Sequence, residues 1–140
     1  MSQITVAQLD ALSKEQLPIV GQLGLIVESL GNGSARVRCP FRDDFLRPGG
    51  TLSGPVMMAM ADYAMYAAVL TRIGMVELAV TTNLNINFLR RPKPGDVLAD
   101  ATLLKLGQRL AVGEIALRID GEHDLVAHVT ATYSIPPQGA

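Results

Sequence analysis

Tryptophan is missing from this 140-residue chain, and aromatic residues make up only 4% of it. Leucine, valine, alanine and methionine must therefore do most of the core packing, because few ring surfaces are available. A single cysteine, Cys39, excludes a disulfide within the chain. With that one cysteine and two histidines, a Cys/His zinc site within one chain is not expected, and we expect no metal. Charge is also scarce, at 18% of residues with a net of −1. No basic stripe is available to neutralise phosphates, which argues against nucleic acid as a partner. The opening MSQITVAQLDAL has neither the basic start nor the long apolar run of a secretory leader. A cytoplasmic location is the expectation. No internal repeat or low-complexity segment occurs.

What the chain does have is apolar bulk. Hydrophobic residues reach 49%, and 140 residues suit one domain, 1–140, with a real core. Mean hydropathy is +0.27, high for a small monomer, and points to apolar surface covered by a second copy of the chain. Residues 4–16 read as a short amphipathic helix with Ile4, Ala7, Ala11 and Leu12 on one face, broken by Pro18; the N-terminal helical region is thus 1–18. LGLIVESL (23–30) and SARVRCPF (34–41) read as a hairpin across GNG. A polar loop, 42–52, carries a Pro-Gly-Gly turn. Beyond Gly74 the pattern is all strand: 78–91, 97–107, 109–120 and 124–135, joined by short turns, with 136–140 as a frayed tail.

Between loop and strands lies GPVMMAMADYAMYAAVL, residues 54–70, with Asp62 as its one charge. The segment is slightly short for a membrane span, and a central aspartate is costly there, so no membrane partner is expected. A helix apolar nearly all round needs cover on most sides. A curved antiparallel sheet folded about it supplies that cover, and the fold class expected is α+β. A buried carboxylate is either paired structurally or used, and Asp62 is the first candidate for chemistry.

The run RPGGTLSGPVMMAMADYA resembles a segment of the hotdog-fold acyl-CoA thioesterases of the phenylacetate-degradation (PaaI-like) type, N-x-x-G-T-L-H-G-G-x(5)-A/V-D. Gly50, Thr51, Leu52, Gly54, Ala61 and Asp62 match that pattern. The likeness continues through VTTNLNINFLRRPKPGD (80–96) and KLGQRLAVGEIAL (105–117), and spans roughly residues 20–135. It implies a homodimer with helices side by side, commonly doubled to a homotetramer, and an active site shared between chains. Coenzyme A would enter only as part of the acyl-CoA substrate, with no cofactor. Geometry independently favours sharing. Ser53 and Asp62 lie nine residues apart, or about 13–14 Å along a helix, so one chain cannot bring both to one carbonyl.

The roles implied are Asp62 as nucleophile or as general base toward water, and the helix-start amides near Gly54 as the oxyanion site. Thr81 lies where the family has a serine or threonine near the carboxylate. Three positions depart from the pattern: Arg47 replaces asparagine, Ser53 replaces histidine and Pro55 replaces the second glycine. Ser53 can cap the helix, and Arg47 is expected to meet the partner's carboxylate or the thioester oxygen. Arg90, Arg91, Asn87 and Arg109 are candidates for coenzyme A binding, against the simpler reading of a solvated face and a polar seam between subunits. Met57, Met58, Met60 and Met65 are expected to pack, as are Tyr63 and Tyr66. The rival function is a non-hydrolytic acyl-CoA-binding protein on the same scaffold. A hydratase ranks last, since this segment holds no histidine. The acyl group itself, aryl or short to medium chain, is not specified by these residues.

Overall fold

The computed structural model describes residues 1–138; the last two residues of the expected 136–140 tail lie outside them. Thr5 opens helix α1 (Val6–Gln16) with a capping box: its hydroxyl accepts the Gln8 amide, and the Gln8 side chain accepts the Thr5 amide. The buried side of this helix carries Leu9, Leu12 and Ser13, while Ala7 and Ala11 are exposed. The expected Ala7–Ala11 face is thus corrected. Leucine gains more from burial than alanine, and the leucines take the core side. Pro18 ends α1 but also begins a second helix, α2 (Pro18–Leu23). Proline suits a first turn because it has no N–H to leave unpaired. The first strand accordingly starts later than expected, at Ile26.

Strands β1 (Ile26–Gly31) and β2 (Ser34–Cys39) form the hairpin read from GNG. The loop expected at 42–52 is more ordered than its polarity implied. A 3-10 turn at Asp43–Phe45 leads into a miniature hairpin, β3 (Leu46–Arg47) with β4 (Thr51–Leu52). Helix α3 (Gly54–Ile73) follows. Then come β5 (Val80–Phe88), β6 (Val97–Leu106), β7 (Leu110–Ile119) and β8 (Leu125–Ser134).

Six strands form one antiparallel sheet in the order β1-β2-β6-β7-β8-β5. The sheet curves around α3, which touches every one of its strands. Met60, Met65, Val69 and Leu70 are fully enclosed by Val37, Ile115, Leu117 and Val129 from the sheet. Gly113 lets the two layers close: a Cβ there would sit 2.6 Å from the Met65 sulfur. By length and composition α3 could cross a membrane, but here it is the enclosed core helix. This is the hotdog arrangement expected from the sequence.

Two features of β5 position the site. It is the last strand of the sheet, paired on one side only, with β8. It also carries a bulge between Thr81 and Asn83. Strict alternation puts Thr81 on the same face as Asn83, Asn85 and Asn87. The inserted residue reverses that parity and turns Thr81 inward, toward α3.

Candidate active site

Asp62 stands on the third turn of α3, half-buried, where the helix is flanked by β5 and β8. Its Oδ1 accepts two hydrogen bonds. Thr81 Oγ1 donates at 2.5 Å and the Tyr133 hydroxyl donates at 2.8 Å. The same phenol lies 3.0 Å from the Asp62 backbone oxygen. Oδ2 has no partner among the described residues and is not sealed from solvent. Burial, and then the neighbouring Asp62 carboxylate, push the Tyr133 phenol well above its usual 10, so it stays a proton donor.

An apolar cavity of about 380 Å³ opens beside the carboxylate. Leu17, Ile19, Val20 and Leu23 from α2 and its lead-in form one wall; Tyr63 and Tyr66 of α3 and Leu78 and Val80 form the others. The tyrosines of α3 pack as expected and direct their hydroxyls to fixed partners. Tyr63 bonds the Ser13 hydroxyl at 2.7 Å, and Tyr66 donates to the Glu77 carbonyl at 3.1 Å. Of the methionines expected to pack, Met57, Met60 and Met65 do so, whereas Met58 faces outward.

The start of α3 builds a second, separate cavity, also about 380 Å³, lined by Arg47, Thr51, Gly54, Phe88, Arg90 and Arg91 among others. Its floor is the helix terminus. The Gly54 and Val56 amides have no acceptor among the described residues, and Pro55 between them has no N–H to offer. Ser53 sits at the N-cap position, yet its hydroxyl makes no capping bond, contrary to expectation. A capping hydroxyl reaches the second or third helical N–H, and here the second is proline. Gly54 is confined: a Cβ on it would lie 3.1 Å from the Phe88 ring.

Three of the expected cations gather at this cavity. Arg47 makes no ion pair among the described residues, nor does Arg91. Arg90 donates to the Leu125 carbonyl at 3.0 Å and stands 3.4 Å from Asp124. Two expected residues lie elsewhere. Asn87 is exposed opposite His128 on the sheet, and Arg109 donates to the Ile135 carbonyl beside a different cavity. His128 is satisfied by Glu114 at 3.2 Å. Within one chain, then, Asp62 and Thr81 meet, Gly54 and Arg47 line one cavity, and the two groups lie at different cavities.

The sequence reading missed Tyr133. The signal was present: positions 127, 129, 131 and 133 form the inward face of β8, reading Ala, Val, Ala, Tyr. A lone phenol on a buried strand face needs a polar partner.

A long helix held in a six-stranded antiparallel sheet, with a carboxylate midway and open amides at its start, defines a hotdog-fold site. Comparison with known proteins assigns the family. The model of the thioesterase superfamily matches residues 49–126, and the chain belongs to that superfamily. A protein of Saccharolobus solfataricus, provisionally named an esterase, is 32% identical over 132 residues, covering 94% of this chain and 86% of its own. A crystal structure from Silicibacter sp. TM1040, provisionally named a thioesterase, is 42% identical with a TM-score of 0.88, covering 98% of this chain and 95% of that one. A mutant form of the phenylacetic acid degradation protein PaaI of Thermus thermophilus is 32% identical with a TM-score of 0.76, covering 85% of this chain and 99% of that one. The family and these named relatives support a hydrolase of the thioesterase class.

Proposed function

We propose that the protein hydrolyses acyl-CoA thioesters at a site completed by two copies of the chain. The observation that carries this reading is Asp62: an ionisable group on an apolar helix, gripped through one oxygen, open at the other, beside an apolar cavity. The free amides of Gly54 and Val56 are the matching oxyanion donors. They stand about 9–12 Å from Asp62 along α3, so the donors serving one carboxylate come from a second chain. The open edge of β5 and the exposed apolar residues Leu78, Val80, Phe88 and Leu89 support such a dimer.

The thioester carbonyl lies between the two groups. In the nucleophilic route an Asp62 oxygen bonds the carbonyl carbon, and the oxygen of the carbonyl takes the negative charge against the helix-start amides. The C–S bond then breaks and coenzyme A leaves as thiolate. Water hydrolyses the resulting anhydride, releasing the acid and restoring Asp62. In the general-base route Asp62 takes a proton from water as that water attacks the same carbon, and the proton passes to the leaving thiolate. The acyl group occupies the cavity beside Asp62, which suits an aryl or a short to medium chain. The coenzyme's phosphates meet Arg90 and Arg91 at the other cavity, where Arg47 meets the thioester oxygen or the partner chain's carboxylate.

Release of free coenzyme A from a panel of aryl, short and medium acyl-CoAs, wild type against Asp62→Asn, tests the proposal. Turnover that falls on the order of a thousandfold in the variant, with its assembly unchanged, supports it. Pro55 removes one helix-start donor, and that loss favours one alternative, acyl-CoA binding without hydrolysis. Binding by both proteins with turnover by neither would establish that alternative.

A further inference from the structure

We infer that Tyr133 is a positioning residue for the reaction: with Thr81 it holds Oδ1 of Asp62, leaving Oδ2 as the oxygen that reacts. The inference rests on the reading of Asp62 as the working carboxylate. Its geometric basis lies in the register of two strands. Thr81 on β5 and Tyr133 on β8 are direct partners across the antiparallel ladder, and both hydroxyls converge on the same oxygen. The bulge one residue beyond Thr81 makes this possible, because it points both side chains to the α3 side of the sheet. A single cross-strand pair therefore ties the helix carboxylate to the sheet.

The phenol is held in place independently of the aspartate. Tyr133 is only 3% exposed, and its ring packs at 6.2 Å against Tyr66, one turn along α3 from Asp62. Fully buried Ala111 stands opposite it on β7, leaving room for the ring. Two donors on Oδ1 restrain the carboxylate and leave the lone pairs of Oδ2 without a partner among the described residues. A fixed attacking oxygen raises the fraction of productive encounters. The same arrangement serves a nucleophile and a base, since both act through the unpaired oxygen.

Tyr133→Phe removes one donor and keeps the ring. We expect kcat to fall about ten- to hundredfold with little change in KM, the loss typical of a hydrogen bond to a charged group. Tyr133→3-fluorotyrosine, a stronger donor of nearly the same shape, should keep kcat at or above the wild-type value with KM unchanged. It also guards against a fold effect of the first variant. The inference fails if Tyr133→Phe leaves kcat within about twofold of wild type, or raises KM as much as it lowers kcat, while Asp62→Asn abolishes turnover; Tyr133 would then be a packing residue. Turnover surviving in Asp62→Asn would instead sink the reading of Asp62 itself, so the two failures are distinct.

Discussion

Two parts of one helix are built to opposite plans. Midway along α3, Asp62 is set into hydroxyls and apolar walls: Thr81 and Tyr133 hold it, and no cation of the same chain approaches it. At the start of α3, Gly54 lies among arginines and open amides, with no carboxylate in its cavity. The first half can donate electrons or take a proton but cannot stabilise an oxyanion. The second half can do the reverse. Each is chemically incomplete, and the rigid helix between them keeps them from completing each other. Such a division makes sense where a second chain, running the other way, supplies what each half lacks.

The sharpest way to break this comparison is complementation. Asp62→Asn disables one half and Gly54→Val disables the other, and each variant alone should lose turnover on the order of a thousandfold. Unfolded together and refolded as a mixture, the two should recover about a quarter of wild-type activity, because half the dimers are mixed and each holds one intact site. Coenzyme A release from the refolded mixture measures this. Recovery near zero would mean that each chain works alone or not at all.

A milder change probes the helix start by itself. Gly54→Ala adds a methyl that would press on Phe88 at 3.1 Å, so the ring or the helix end must shift. The open amides then move off target, and we expect kcat to fall about tenfold while the fold persists. Weaker again should be Arg91→Ala. Its guanidinium is exposed and unpaired among the described residues, so its loss should raise KM for acyl-CoA only about threefold. Added salt should shrink the difference between Arg91→Ala and wild type, since exposed charges are screened. The same substitution should leave hydrolysis of a short thioester lacking the nucleotide unchanged.

The two halves also differ in how far the sequence disclosed them. Asp62 was legible because a charge on an otherwise apolar helix violates the pattern around it. The helix, the hairpin at Asn32-Gly33 and four later strands followed from periodicity and turn residues. Thr81 was found through family likeness and against the alternation of its own strand, because a bulge has no compositional signature in VTTNLN. Tyr133 was overlooked although strand parity placed a phenol in the core; its partner lies 71 residues away in sequence, a pairing only the folded sheet reveals. Pro18 was read as a breaker and is also a beginning, and the helix it begins walls the cavity beside Asp62. At the other half, Ser53 reads as a cap by residue type, and the one sequence sign against it is Pro55, which has no N–H for the hydroxyl to accept.

A last contrast concerns acid. The carboxylate half is braced by two hydroxyls, neither of which loses its proton in the working range. The helix-start half is reached through a segment braced by Asp96, whose Oδ1 accepts the Phe41 amide at 2.8 Å and whose Oδ2 meets Arg38 at 2.9 Å. Those bonds, the backbone amide first and the guanidinium after it, hold Asp96 below the usual 3.8. A carboxyl depressed on folding adds stability above its unfolded value, and that contribution disappears as pH falls through the lowered one. Acid below about pH 4 should therefore loosen residues 40–52, and with them the approach to Gly54. Hydrogen exchange at the Phe41 amide should accelerate on acidification more than exchange at the Tyr133 amide, after correction for intrinsic rates. In Asp96→Asn the extra acceleration should vanish, because the bracing group no longer titrates. Equal acceleration at both amides would show that the two halves yield to acid as one unit, and that their difference is confined to chemistry.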